Sequence, residues 1–148
     1  MLILVLAVIF SLSVSFFCSL MEACLLSLSN ANIAEIGQKS PKTANIWKQF
    51  KLDIQKPIAV ILICNTLAHT IGAAVSGAKF AELFGVGWIW AFSLGYSLIM
   101  IMYTEILPKT LGVRYNILLA KISALPLFAI VKFFNPFIFL IELANSPF

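Results

Sequence analysis

Charge is what this chain has least of. Ten Lys and Arg and six Asp and Glu make only 11% of its 148 residues, against 61% hydrophobic residues and a mean hydropathy of +1.03. No ordinary soluble domain is composed this way, so the class is integral membrane protein. The net charge of +4 is spread along connections rather than gathered in a block with interleaved aromatics, which argues against nucleic acid as a partner. Cysteine is sparse as well. Cys18, Cys24 and Cys64 are odd in number, lie in apolar segments and lack C-x-x-C spacing, so they read as packing residues rather than a disulfide framework or a zinc site. There is no G-x-x-x-x-G-K-[ST] run, so the chain cannot by itself drive transport with ATP. H-E-x-x-H and G-x-S-x-G are missing too, and His69 has no second histidine, which leaves an intramembrane enzyme little support. No internal repeat and no low-complexity segment occurs.

What remains are long apolar runs. Residues 2–26 carry a single charge, Glu22, and lack both a basic leader and a small-residue cleavage site, so they predict a retained first span. Residues 31–56 are polar by comparison, with Lys39, Lys42, Lys48, Lys51 and Lys56 against Glu35 and Asp53 and a Ser40-Pro41 turn. Pro57 suits the first position of a second span over 57–78. A short connection with Lys79, Glu82, Gly85 and Gly87 follows, and Trp88 and Trp90 then open a third span, 88–107, as an interfacial aromatic belt.

The expected fold is therefore all-α integral membrane: three transmembrane helices with cytoplasmic juxtamembrane helices over 31–55 and 115–143. Lysines crowd the connection after span one, and Lys109, Arg114 and Lys121 follow span three. The positive-inside rule then puts the N-terminus outside and the C-terminus in the cytoplasm. Segment 115–143 is apolar and long enough to span, but Lys121, Pro126, Lys132 and Pro136 interrupt it. It is read as short broken helices at the cytoplasmic interface.

Each span carries one polar stripe. At 100° per residue, Ser11, Ser15, Ser19 and Glu22 fall within about 80°, and Asn65, His69, Gly72 and Ser76 within about 60°. Ser93, Ser97 and Thr104 share a similar arc. Stripes of small residues also serve helix packing. A carboxylate, a carboxamide and an imidazole are more than packing needs, so the stripes predict a polar cavity. Glu105 stands at the end of span three, where a carboxylate costs roughly 2.5 to 3.5 kcal/mol to insert. Pro108 disfavours continuation of the helix. Together they predict a break that frees carbonyls beside a carboxylate, an arrangement that binds cations in transporters. The same residues also suit a helix ending at the interface. Carboxylate, hydroxyl, carboxamide and carbonyl oxygens are hard ligands, suited to magnesium, calcium or sodium. Cys64 points about 100° away from Asn65, which disfavours copper or zinc.

Three motifs carry a resemblance: Ser19-Leu20-Met21-Glu22-Ala23, Cys64-Asn65-Thr66-Leu67, and Glu105-Ile106-Leu107-Pro108-Lys109-Thr110-Leu111-Gly112. In order and spacing they resemble the transmembrane domain of the CNNM/CorC family of magnesium transporters, the third motif most specifically. The resemblance implies a homodimer in the lipid bilayer, with magnesium (Mg2+) as the transported ion and sodium (Na+) as the coupling ion. The site residues it carries over are Ser19, Glu22, Asn65, Glu105 and Gly112, with Gly112 supplying backbone at the helix break. Ser15 joins them on helical geometry alone. Two positions depart from the family pattern: Thr104 replaces the glycine usual before Glu105, and His69 stands where a second asparagine is common. The cytoplasmic CBS domains expected in the family are absent from these residues, which implies either the membrane domain of a longer protein or a short relative without that regulation.

An inside-negative potential opposes export of a dication by about 4.6 kcal/mol per 100 mV. With no ATP motif, a sodium or proton gradient is the remaining source. A membrane-embedded magnesium sensor or regulator of other transporters would need the same ligands and stays open as the alternative. The small size fits a bacterial inner (plasma) membrane.

Overall fold

The computed structural model describes residues 1–145, and every regular element among them is helical. In chain order these are α1 (Leu2–Ser27), α2 (Asn30–Lys39), α3 (Pro41–Leu52), α4 (Gln55–Phe84), a 3₁₀ turn (Val86–Trp88), α5 (Ile89–Met100), a π-helical segment (Ile101–Ile106), α6 (Leu107–Arg114) and α7 (Asn116–Asn145).

Local chemistry explains most boundaries. The apolar run of α1 must satisfy its backbone internally, and in lipid a helix does so within one segment. A reciprocal cap starts α2: Ser29 Oγ accepts from the Asn32 N–H at 3.1 Å, and Asn32 Oδ1 accepts from the Ser29 N–H at 3.0 Å. Pro41 opens α3. The second span begins at Gln55 rather than Pro57, which is harmless because the first four N–H groups of a helix have no internal partner. It also runs to Phe84, past the expected end at 78, so the 2.7 Å Lys79–Glu82 pair lies inside the helix. It stops at Gly85, whose φ of 87° suits glycine.

Two expectations are corrected. First, the chain does not break before Pro108. The α5 helix widens into the π segment, where the Leu107 N–H reaches back five residues to the Met102 carbonyl, and α6 then begins with Pro108 in its first turn. A proline lacks the N–H and crowds the carbonyl one turn back, and a wide turn just before it absorbs both problems without ending the helix. Val86–Arg114 is thus one nearly continuous apolar rod.

Second, 115–143 is one helix rather than short pieces, with Pro126 and Pro136 inside it. Among the described residues four helical stretches, not three, are long and apolar enough to cross a membrane, and α7 is the fourth. Its attachments are distinctive. Near its start, Asn116 Nδ2 donates to the Ser27 carbonyl at 3.3 Å, and Trp47 Nε1 of α3 donates to the Ala120 carbonyl at 2.9 Å. Near its far end, Glu142 lies 3.9 Å from Lys56, in the first turn of α4. Since α1 and α4 run antiparallel, Ser27 and Lys56 mark the same end of the pair. Contacts near the start and near the far end of α7 thus both reach that end of the pair, and Phe134, Phe137 and Leu140 share a cleft with Ile63 and Leu67 of α4.

The main hydrophobic core sits there too. Cys24 and Leu25 of α1, Ile36 of α2, Trp47 of α3, Ile61 of α4 and Ala120, Ala124 and Leu127 of α7 form one buried cluster. Elsewhere large apolar side chains face outward along α1, α4 and α5, as helices bathed in lipid require.

Candidate functional site

The polar stripes of α1 and α4 meet face to face. Ser11, Ser15 and Ser19 are buried, as are Gly72 and Ser76 opposite them. Gly72 allows the approach: a Cβ there would collide with Ser11 and lie 2.9 Å from the Tyr96 hydroxyl. Ser11 Oγ and Tyr96 Oη are hydrogen-bonded at 2.9 Å, which ties α5 to the pair.

One turn further along α1, Ser15 is completely buried. Its hydroxyl donates to Asn65 Oδ1 at 2.6 Å and is also hydrogen-bonded to His69 Nε2. Thr104, from the π segment, brings Oγ1 to 3.4 Å from the same nitrogen and donates its own proton to the Met100 carbonyl at 2.7 Å. Four side chains from three elements therefore converge, three contributing oxygen and one nitrogen.

The π segment explains why Thr104 is there. A π turn holds more residues than an α turn, so positions past Ile101 fall behind the 100° step. Thr104 rotates onto the face of Tyr96 and Met100, all three buried, while Ser93 and Ser97 of the expected stripe stay exposed. The 100° step did not carry that shift, and Tyr96, whose ring hides its hydroxyl in any hydropathy pattern, carried no polar signal at all.

The other expected site residues lie around this cluster. Ser19 is buried one turn below Ser15, and among the described residues neither its Oγ nor Ser76 Oγ on α4 has a hydrogen-bond partner. Glu22 lies seven residues from Ser15, about 10 Å along the helix, and its carboxylate is 3.5 Å from Lys109 Nζ. Glu22 and Lys109 line an open cleft of about 340 Å³ with Ser27 and Val113. Gly112 packs on the α1 backbone, where a Cβ would come within 2.6 Å of Ala23 Cβ and 2.9 Å of the Leu20 carbonyl. It is a helix-contact glycine inside α6 rather than backbone at a break. Glu105 is exposed, and shares with His69, Tyr96 and Ser97 a cavity of about 320 Å³. A larger cleft of about 410 Å³ between α1 and α4 is walled by apolar groups such as Phe10, Val14 and Leu67, and offers no comparable donor set.

Chemically, the cluster can hold a cation through neutral oxygens, with a carboxylate across the adjoining cavity. Among the described residues no group of three or more His, Cys, Asp or Glu side chains lies together, so a closed, charge-rich metal site of the structural kind is not what this arrangement builds. The three cysteines are free, and Cys18 and Cys24 pack in the core, in line with their reading as packing residues.

Residues 5–146 match the family described as the cyclin M transmembrane N-terminal domain, CNNM. A UPF0053 protein of Synechocystis sp. (strain ATCC 27184 / PCC 6803 / Kazusa) is 30% identical over 131 residues, which cover 88% of this chain and 38% of that protein. The chain therefore spans well under half of that relative's length. With apolar helices of membrane-spanning length and a match over nearly all its residues, the chain is an integral membrane protein that belongs to the CNNM family.

Proposed function

We propose that this chain carries magnesium out of the cell in exchange for sodium entry, with Ser15 and Asn65 at the centre of the ion path. The observation that supports this most is the hydrogen bond from the fully buried Ser15 hydroxyl to half-buried Asn65, with His69 and Thr104 beside it. Polar groups are expensive within a bilayer, and an ionisable side chain such as His69 facing inward there points to a functional site. Magnesium demands near-octahedral oxygen and gives up water reluctantly, so a few neutral protein oxygens plus retained waters suit its passage better than a tight cage. Unpaired Ser19 Oγ extends the donor line toward Glu22, and Gly112 holds α6 against that part of α1.

The proposed topology has α1, α4 and the α5–α6 rod crossing the membrane, N-terminus outside, in a bacterial inner membrane. The α7 helix lies along the cytoplasmic face, because both its ends attach to the lysine-rich end of α1 and α4. The proposed assembly is a homodimer. Glu105 is exposed on the single chain, and a bare carboxylate facing lipid is costly, so a second copy would cover it.

The test is flux. Proteoliposomes holding the purified chain, with magnesium and a fluorescent magnesium indicator inside, should lose magnesium when sodium is supplied outside. Loss that is independent of sodium contradicts the coupling. Magnesium binding without any flux would favour a sensor or regulator of other transporters.

A further inference from the structure

We infer that the cleft between α4 and the far half of α7 is a phospholipid site, which seats one acyl chain and takes a zwitterionic headgroup bearing a primary amine. Its assignment to the cytoplasmic leaflet rests on the topology proposed above.

Ile63 and Leu67 of α4 wall this cleft of about 450 Å³ on one side, and Phe134, Phe137 and Leu140 of α7 on the other. At 100° per residue, Lys56, Ile63 and Leu67 fall within about 40° of one another. They form a single stripe, with Ile63 about 10 Å and Leu67 about 16 Å along the helix from Lys56. The hydrocarbon of one leaflet is about 15 Å deep. The apolar walls therefore reach through the depth that an acyl chain occupies below its headgroup. A helix of a second copy fits less well. At about 10 to 12 Å across, a helix fills the whole cleft volume within roughly one turn, so it cannot lie along the cleft. A hydrocarbon chain is narrow enough, and Leu67, Phe137 and Leu140 are exposed to receive it.

The charged groups beside the cleft choose the headgroup. Lys56 Nζ lies 3.1 Å from Asp53 and 3.9 Å from Glu142, and Glu142 directly follows Ile141, which also lines the cleft. All three charged side chains are partly exposed. The contact to Glu142 is beyond hydrogen-bonding distance, so both groups keep capacity for a further partner. A lysine ammonium has three donors and can give one to a phosphate oxygen. Two carboxylates against one ammonium leave negative charge in excess, and among the described residues no other cation lies within 4.0 Å of either. A primary ammonium fits that excess by donating charge-assisted hydrogen bonds. A quaternary amine has no proton to donate, and an anionic headgroup meets the carboxylates with like charge.

The experiment is native mass spectrometry of the full chain, delipidated in mild detergent and titrated with dioleoyl phosphatidylethanolamine, phosphatidylcholine or phosphatidylglycerol. Wild type should retain the ethanolamine lipid about three- to fivefold better than the other two, the size of effect an exposed charge pair supplies. Glu142→Gln should abolish that preference while lipid still binds. Leu140→Trp, which fills the cleft, should lower retention of all three lipids. Equal retention of the three by wild type, a preference for phosphatidylglycerol, or either variant behaving as wild type overturns the inference. Should a variant fail to fold, the wild-type ranking decides alone. Detergent removes sidedness, so this result is independent of the topology. External thiol labelling at position 142 would overturn the leaflet assignment and leave the lipid selectivity standing.

Discussion

Ser15 on α1 donates to the carboxamide oxygen of Asn65 on α4 at 2.6 Å, across a sequence separation of 50 residues. The same hydroxyl is bonded to His69 Nε2, so one buried oxygen links two consecutive turns of the neighbouring helix. Ser15→Ala keeps the volume nearly unchanged but leaves both partners short of a hydrogen bond. Thermal unfolding in detergent should show a loss of about 1 to 3 kcal/mol. Unchanged unfolding would mean that water replaces the hydroxyl without cost.

Gly112 and Gly77 form a contrasting pair. A methyl at Gly112 meets Ala23 Cβ at 2.6 Å and the Leu20 carbonyl at 2.9 Å, whereas a methyl at Gly77 has nothing within 4 Å. Gly112→Ala should push α6 from α1 and destabilise by roughly 1 to 3 kcal/mol. Gly77→Ala should be neutral or stabilising by up to about 1 kcal/mol, from helix propensity alone. Equal effects of the two variants would contradict the close α1–α6 contact.

Trp47 anchors the α2–α3 pair to α7. Its ring is fully buried and its Nε1 donates to the Ala120 carbonyl at 2.9 Å. Trp47→Phe keeps most of the apolar area and loses only the indole hydrogen bond, since the Ala120 carbonyl keeps its donor within α7, at an expected cost of about 0.5 to 1.5 kcal/mol. Trp47→Ala should cost about 3 to 5 kcal/mol by leaving a cavity as well. Protease nicking of segment 30–52 should rise in the same order.

The placement of α7 has a direct topological test. Glu142→Cys and Lys39→Cys, each in a background with the native cysteines replaced, should react with a membrane-impermeant thiol reagent only when it is supplied on the cytoplasmic side. Opposite-side labelling at position 142 would make α7 a crossing helix.

The sequence made the all-helical architecture legible because apolar runs of spanning length leave the backbone little other choice. The stripes on α1 and α4 were legible for a related reason: both helices are regular, so a 100° step projects Ser15, Asn65 and His69 correctly onto facing sides. The third stripe was not, since the π segment changes the step and Thr104, not Ser93 or Ser97, turns inward. The break expected before Pro108 failed for the same cause, a wide turn accommodating a proline that local rules treat as a stop. Pro126 and Pro136 misled in a similar way. Packing of Ala120, Ala124 and Leu127 against Trp47 and the end of α1 keeps α7 continuous, and such tertiary support is invisible to local propensity.

The central claim is that Ser15 and Asn65 form a cation site rather than a packing contact. Calorimetric titration of MgCl2 into wild type and Asn65→Ala tests it most directly, with the dispersity and unfolding temperature of both proteins checked beside it. Asn65→Ala removes a neutral carbonyl oxygen and orphans no buried charge, so the variant should stay folded and lose magnesium affinity by at least about tenfold, equivalent to about 1.4 kcal/mol. A folded Asn65→Ala variant that binds magnesium as tightly as wild type would contradict the account and leave the polar stripes as helix-packing faces.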